Sequence, residues 1–167
     1  AARELEKQGY RVVAGINGDF FNTSNGLPIG LLVSDGKLLS SDGGYYAVGF
    51  LEDGSAVIGK PGLSITADLG YEMADSTGYT SQVNRTIAGI NKARVSTGGI
   101  YLYTYEFNDR HTTGNTEAGV DVLCTIVDGS LAIGQTAALR VEQIVEASSA
   151  TAIGPDQVVL SANALSS

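Results

Sequence analysis

The chain has 167 residues, of which 43% are hydrophobic, and its formal net charge is −8. This length suits one domain with its own core, and the composition argues against intrinsic disorder. Because lysine and arginine are not clustered anywhere, we expect no nucleic acid partner. No run of 18 apolar residues is present, so we expect no membrane-spanning segment either.

The first segments predict a helix, a strand and a sharp turn. Residues 1–8 are mostly helix formers, and Gly9 after them is typical of a helix C-cap. Residues 12–16 indicate a short buried strand. Asn17 and Gly18 follow, and both tolerate the positive φ that a sharp turn needs.

Residues 17–22 place polar and aromatic side chains at the exit of that strand. Asp19 follows the turn, and Phe20 and Phe21 follow Asp19. Spacing alone favours a structural turn in which Asn17 and Asp19 hydrogen-bond nearby backbone while Phe20 and Phe21 fill the core. We expect at least one of the two rings to be buried. The alternative is an active-site corner, since side chains at strand exits often line a crevice.

Three later units each place an Asp-Gly pair between two apolar runs. In the first, Asp35-Gly36 joins residues 28–33 to residues 37–39, as expected for a two-residue type I′ hairpin. The other two units are centred on Asp53-Gly54 and Asp128-Gly129, and their strands span residues 45–58 and 120–133. Three such units favour a mainly antiparallel sheet.

The remaining segments predict more strands and one further helix. We expect strands at residues 63–67, 83–91, 99–107 and 157–162, and a loop at residues 70–79. Residues 136–147 alternate poorly, so helix and strand are both open there, and a short helix is favoured. The predicted fold is an α+β domain, β-rich, with a mainly antiparallel sheet, hairpins and one or two short helices, spanning residues 1–167.

Three side-chain groups could suggest other chemistry. Cys124 lies in an apolar run and is expected to be a buried, inert thiol. Glu106, Asp109 and His111 share one polar loop, but their spacing matches no zinc motif, so no metal or cofactor is expected. The tyrosines at 101, 103 and 105 share one strand face, where packing is favoured over stacking on a sugar.

Residues 17–21, Asn-Gly-Asp-Phe-Phe, are followed by Gly-Leu-Pro-Ile-Gly at 26–30, Val-Ser-Asp-Gly at 33–36 and Gly-Phe-Leu-Glu-Asp-Gly at 49–54. This order resembles the opening of the phosphodiester glycosidase domain, a family that includes the mannose 6-phosphate uncovering enzyme and bacterial envelope proteins. Residues 87–94, 102–107, 119–122 and 158–161 look like the additional β segment of bacterial members. That segment would cover about residues 83–162.

The resemblance implies hydrolysis of a sugar 1-phosphodiester, in cell-envelope or exopolysaccharide metabolism, with a carbohydrate or sugar phosphodiester as partner. It also implies an extracellular or cell-envelope location. The family usually has glycine in place of Asp19, so a catalytic role for this carboxylate is inferred from its position alone. The candidate catalytic residue is Asp19, and the candidate substrate-binding residues are Asn17, Gly18, Phe20, Asn22 and Arg85.

Two motifs typical of the family's second half, Arg-Thr-Ala and Leu-Asp-Gly-Gly-Gly-Ser, are not found. The chain therefore looks like the N-terminal portion of the domain, and we expect residues 1–167 to be inactive alone. In such a portion, strand edges around residues 158–160 would be exposed. The alternative function is a non-catalytic envelope module that binds carbohydrate or acts as a scaffold.

Overall fold

The computed structural model describes residues 2–13, 18–41, 43–72, 80–94, 98–147 and 150–163. In these ranges the chain forms one α-helix, one turn of 3-10 helix at Tyr105–Phe107, and ten strands. The helix is α1 (Ala2–Lys7), and the strands are β1 (Leu32–Ser34), β2 (Lys37–Ser40), β3 (Ala47–Phe50), β4 (Ala56–Gly59), β5 (Thr66–Glu72), β6 (Thr80–Ile90), β7 (Ile100–Thr104), β8 (Gly119–Gly129), β9 (Ala137–Ala147) and β10 (Gln157–Asn163).

The strands form one large sheet and two hairpins. The large sheet has the order β5-β6-β7-β10-β8-β9, and within it the β6–β7 pair is parallel while the other pairs are antiparallel. β1 pairs with β2, and β3 pairs with β4. The predicted β-rich, mainly antiparallel character is confirmed. An α+β class is not supported, because the one α-helix in the described residues is six residues long.

The first predicted hairpin is confirmed, and the second has a longer loop than expected. Asp35 and Gly36 have φ values of 50° and 75°, as a type I′ turn requires at both central positions. In the second hairpin, the Asp53 carboxylate accepts hydrogen bonds from the backbone and hydroxyl of Ser55 at 2.8 and 2.6 Å. These bonds stabilise a loop between Phe50 and Ala56, so the turn is not confined to Asp53-Gly54.

The third predicted hairpin is wrong in its turn position. β8 continues through Asp128-Gly129, and Gly129 pairs with Ala137 on β9. Leu131 and Ala132 lie in the connection rather than in a returning strand. The register of the β8–β9 pair shifts between Ile126 and Asp128, so an irregularity lies at Val127, directly before the Asp-Gly pair.

Residues 136–147 form β9 and not the favoured helix. This strand pairs with β8 along its whole length, from Ala137 to Ala147. Val141, Ile144 and Val145 are β-branched, which suits a strand. Pairing with β8 therefore determines the secondary structure of a segment whose hydrophobic periodicity was ambiguous.

β10 is central in the sheet, which contradicts the expected exposed edge around residues 158–160. It pairs with β7 on one side and with β8 on the other. Val158, Val159 and Leu160 are all buried. A strand with two neighbours has its backbone donors and acceptors satisfied on both sides.

The large sheet buries a different cluster on each face. One cluster contains Leu102, Cys124, Val158 and Leu160 together with Leu38 of β2. The opposite face buries Tyr101, Tyr103, Val159 and Ile153. This alternation follows the two-residue period of a strand, and it confirms that Tyr101 and Tyr103 are packing residues and that Cys124 is buried.

The first hairpin is held against the large sheet by a buried asparagine. Asn91 follows β6 and is 3% exposed. Its amide nitrogen donates to the Leu39 carbonyl oxygen at 2.8 Å and to the Thr104 hydroxyl at 2.9 Å, and its amide oxygen accepts from the Thr104 backbone at 2.9 Å. These bonds connect β2 to β7 and thereby place the chain that precedes β2 beside the sheet.

Candidate functional site

Asp19 is exposed, and both of its carboxylate oxygens accept backbone hydrogen bonds. Oδ1 accepts from the Phe20 N–H at 2.7 Å, and Oδ2 accepts from the Gly30 N–H at 3.0 Å. A β-carbon added at Gly30 would lie 3.2 Å from both carboxylate oxygens. A larger residue at position 30 would therefore crowd the carboxylate that the sequence places at the corner.

Lys92, which the sequence analysis did not select, holds the same segment from the other side. Its ammonium group donates to the carbonyl oxygens of Pro28, Ile29 and Gly30 at 2.8, 2.9 and 3.3 Å. Gly30 is thus bonded through its N–H to Asp19 and through its carbonyl to Lys92. Because these partners are more than 60 residues apart, no local pattern pointed to Lys92.

The two phenylalanines of the corner lie outside the core. Phe20 is 84% exposed and Phe21 is 59% exposed, so the expectation that at least one ring is buried is wrong. The backbone explains their positions, because Phe21 forms an isolated bridge with Pro28 and Phe20 accepts from the Ile29 N–H at 3.0 Å. Neither ring belongs to either of the two buried clusters.

The other candidates at the corner have separate roles or lie outside the described residues. The Asn22 side-chain oxygen accepts from the backbone and hydroxyl of Ser24 at 2.9 and 2.7 Å, which closes a local turn. Gly18 is exposed, with no atom within 4 Å of an added β-carbon. Asn17 and most of the strand expected at residues 12–16 lie outside the described residues.

Arg85 is placed on β6, opposite Ala67 of β5, and its side chain is exposed. In the described part of the chain its guanidinium makes one long hydrogen bond, 3.5 Å to the Asn84 carbonyl. No contact in those ranges brings it to Asp19. Its surroundings are those of a solvated strand face.

A second group of polar side chains is buried on the tyrosine face of the sheet. The side chains of Arg94 and Asp121 are 3% and 1% exposed, and the Arg94 Nη1 lies 3.8 Å from the Asp121 Oδ1. Arg94 also donates to the Ser161 hydroxyl and the Ala162 carbonyl, both at 2.9 Å, and to the Glu117 carbonyl at 2.6 Å. A buried charge needs such partners, because removal from water is costly.

The Asp121 carboxylate is surrounded by hydroxyl donors. Ser161 donates to Oδ1 at 2.5 Å, Thr151 donates to Oδ2 at 2.5 Å, and Thr113 donates to Oδ2 at 3.4 Å. Asp121 and Ser161 are directly opposed across the β8–β10 pair. One feature of the sequence points to this cluster, because Asp121 is an acidic residue within the apolar run that contains Cys124.

Asn115 extends this cluster to a tyrosine. Its amide nitrogen donates to the Ser161 hydroxyl at 3.1 Å, and its oxygen accepts from the Tyr103 hydroxyl at 3.3 Å. Burial raises the pKa of Tyr103 far above its ordinary value. Tyr103 therefore stays protonated at neutral pH and acts as a hydrogen-bond donor.

A cavity of about 300 Å³ lies beside this cluster. It is bounded by the turn after the corner, by the residues after β6, and by the segment between β7 and β8. Its lining residues are Asn25, Leu27, Ala93, Arg94, Tyr103, Phe107, Asn108, Thr113, Gly114, Asn115, Thr116 and Glu117. A more open depression of about 550 Å³ adjoins it along residues 108–116.

The polar loop with the histidine is organised by stacking. The His111 ring stacks on Tyr105 with centroids 3.6 Å apart, and its Nδ1 bonds to the Tyr105 carbonyl at 2.8 Å. Glu106 pairs with Lys37 at 3.7 Å. Among the described residues, no group of three or more His, Cys, Asp or Glu side chains is placed to hold a metal ion.

In the ranges that the structure covers, no helix is long and apolar enough to cross a bilayer.

Comparison with known proteins identifies the family. A family model described as phosphodiester glycosidase matches residues 10–151. The fold is similar to the crystal structure of a hypothetical protein from Synechocystis, with 19% identity and a TM-score of 0.49 over 88% of this chain and 24% of that one, so the chain spans about a quarter of that protein's length. No curated protein matches the chain. Because the family model covers most of its residues, the chain belongs to the phosphodiester glycosidase family.

Proposed function

We propose that this chain serves in the hydrolysis of a sugar 1-phosphodiester, in the cell envelope or outside the cell, in envelope or exopolysaccharide metabolism. The observation that supports this proposal is the family match over residues 10–151. The reaction breaks the bond between the anomeric carbon and the phosphate oxygen, and water supplies the new hydroxyl. The products are a free sugar and a phosphate monoester.

The phosphate leaves as a stable anion, so a strong general acid matters less here than in ordinary glycosides. Donors near the phosphate and a group that assists water or stabilises the sugar cation matter more. Asp19 is our candidate for the latter role, because its carboxylate is exposed and fixed by the N–H groups of Phe20 and Gly30. Gly18, Phe20 and Asn22 border it and would contact the substrate.

The test is an assay with a sugar 1-(methyl phosphate) diester, in which release of free sugar is measured. The full-length protein, meaning the whole gene product that contains residues 1–167, is assayed beside these residues alone, because the sequence predicts that residues 1–167 alone are inactive. Asp19→Asn in the full-length protein should lower kcat by roughly 10²–10³-fold. Asp128→Asn is the matched control, since it removes an exposed carboxylate of β8, and it should leave kcat unchanged.

The outcomes separate the family reaction from the role of one residue. Turnover that survives Asp19→Asn removes Asp19 from the catalytic residues and leaves the reaction standing. A full-length protein without turnover on several sugar phosphodiesters contradicts the hydrolytic proposal.

A non-catalytic carbohydrate-binding module is the second candidate. It is favoured by the fact that the charged groups at and near the corner already have structural partners. Asp19 accepts two backbone hydrogen bonds, Lys92 bonds to three carbonyls, and Arg94 is buried beside Asp121. Binding of sugar without turnover by the full-length protein would support this second function.

A further inference from the structure

One wall of the cavity of about 300 Å³ is held by hydrogen bonds, and the positive charge of Arg94 in that wall is balanced by Asp121. Its volume is at the lower end of the range for small-molecule sites, roughly 300–1,000 Å³, which suits one sugar ring. Arg94 and Asn115 line it, and both are fixed by hydrogen bonds to Ser161. Because Asp121 lies beside Arg94, the arginine provides little net attraction for an anion.

The rim of the cavity carries polar groups that have no partner in the described residues. These are the amide nitrogen of Asn25, the hydroxyl of Thr116 and the carboxylate of Glu117. All three residues are exposed. Together they provide donors and acceptors for a ligand whose own groups are hydroxyls.

Two apolar side chains complete the lining. Phe107 is half-buried, and its ring packs on Tyr103 with centroids 4.8 Å apart and a tilt of 59°. Leu27 lies on the side of the cavity formed by the turn after the corner. An aromatic ring beside a few convergent polar groups suits the alternating C–H and hydroxyl surface of a pyranose.

The charge at the rim selects among ligands. Glu117 is an exposed acidic residue of the lining, and a carboxylate accepts hydrogen bonds from hydroxyls but repels phosphate. A phosphorylated sugar should therefore bind here more weakly than its neutral counterpart.

We propose that this cavity is a subsite for a neutral sugar unit, separate from the corner that carries Asp19. The choice of sugar as the ligand class rests on the proposed function. The subsite would hold a part of the carbohydrate that does not react, and the phosphodiester would lie elsewhere.

Binding is tested without turnover, by titrating the isotope-labelled 167-residue chain and following its backbone amide resonances. The probes are methyl α-D-glucopyranoside, methyl α-D-mannopyranoside and N-acetylglucosamine, with α-D-glucose 1-phosphate as the anionic comparison. We expect at least one neutral sugar to shift the amides of Asn25, Asn115 and Thr116 with saturation. The proposal is overturned if no neutral sugar does so at tens of millimolar, or if glucose 1-phosphate binds more tightly than every neutral sugar.

Variants locate the sugar in the cavity. Ala93→Trp places an indole in the cavity and should raise the dissociation constant about tenfold or more. Ala138→Trp is the matched control, because Ala138 is an exposed alanine on β9, and it should leave the dissociation constant unchanged. Thr116→Trp blocks the exposed rim and repeats the test in case Ala93→Trp fails to fold.

The results also separate this proposal from the hydrolytic one. Saturable binding that both blocking variants leave intact overturns the subsite. Binding that these variants abolish supports it, whatever the outcome of the turnover assay. Shifts confined to the residues around Asp19 overturn the subsite and leave the hydrolytic proposal in place.

Discussion

Removal of the Asp121 carboxylate should destabilise the protein strongly, because it leaves a buried cation without its counter-charge. Arg94 and Asp121 are 3% and 1% exposed, and their closest atoms are 3.8 Å apart. Asp121→Ala also removes the acceptor for the hydroxyls of Ser161 and Thr151. Breaking a buried ion pair by truncating one partner costs about 3–5 kcal/mol.

That free energy converts to a measurable shift in the melting temperature. In a domain of this size, 1 kcal/mol corresponds to about 2–4 °C, so Asp121→Ala should lower Tm by roughly 6–20 °C. The assay is thermal unfolding followed by circular dichroism, with urea unfolding for the free energy. The control is Arg140→Ala, which breaks the exposed pair with Glu142 at 2.9 Å and should lower Tm far less, because solvent screens an exposed pair.

A double variant tests whether the charge is the cause. If the loss comes from an uncompensated arginine, Arg94→Ala combined with Asp121→Ala should cost less than the sum of the two single changes. If Asp121→Ala melts within the range of Arg140→Ala, the buried pair does not stabilise the fold and the reasoning is refuted.

The other predictions concern single positions. Burial raises the pKa of the Cys124 thiol, so at pH 8 the folded protein should react with a thiol reagent far more slowly than the unfolded chain. The hydroxyl and backbone N–H of Ser55 donate to the Asp53 carboxylate and lower its pKa. These bonds stabilise the folded state above the unfolded-state pKa, and that stabilisation is lost as pH falls through the folded-state pKa. An NMR titration should therefore find a pKa below 3.8. Phe20→Ala should change Tm little, since the ring is 84% exposed; a large loss would place that ring in the core. Gly119→Ala should cost about 1–3 kcal/mol in urea unfolding, because the new methyl would overlap Arg94; an unchanged midpoint would contradict the close packing.

The parts of the fold that could be predicted are those fixed by neighbouring residues. The Asp35-Gly36 turn was predicted because two adjacent residues with positive φ are needed there, and both have it. The helix end was also predicted from a local signal, because a glycine tolerates positive φ at a helix C-cap. Gly9 has a φ of 92°, and its N–H donates to the Glu6 carbonyl at 3.0 Å. In such cases the structure is determined within a few residues.

The errors concern choices that depend on distant partners. Asp128-Gly129 carries the same local preference as Asp35-Gly36, yet both of its residues pair with β9 instead of forming the turn. The segment at 157–162 was correctly predicted as a strand, but its sequence does not state that β7 and β8 lie on its two sides. Strand propensity says which residues suit a sheet and not where in the sheet they lie.

The candidate site shows the same limit more sharply. The sequence predicted that Asp19 follows a strand exit, and the structure shows an exposed carboxylate there whose geometry is set by Gly30 and Lys92. The Gly30 N–H donates to Asp19, while its carbonyl accepts from Lys92 at 3.3 Å and from the Ser40 hydroxyl at 3.2 Å. Lys92 directly follows Asn91, which is bonded to both β2 and β7. The carboxylate is therefore positioned through the large sheet and not by the corner motif alone, so changes in the β6–β7 region should alter the position of Asp19 without contacting it.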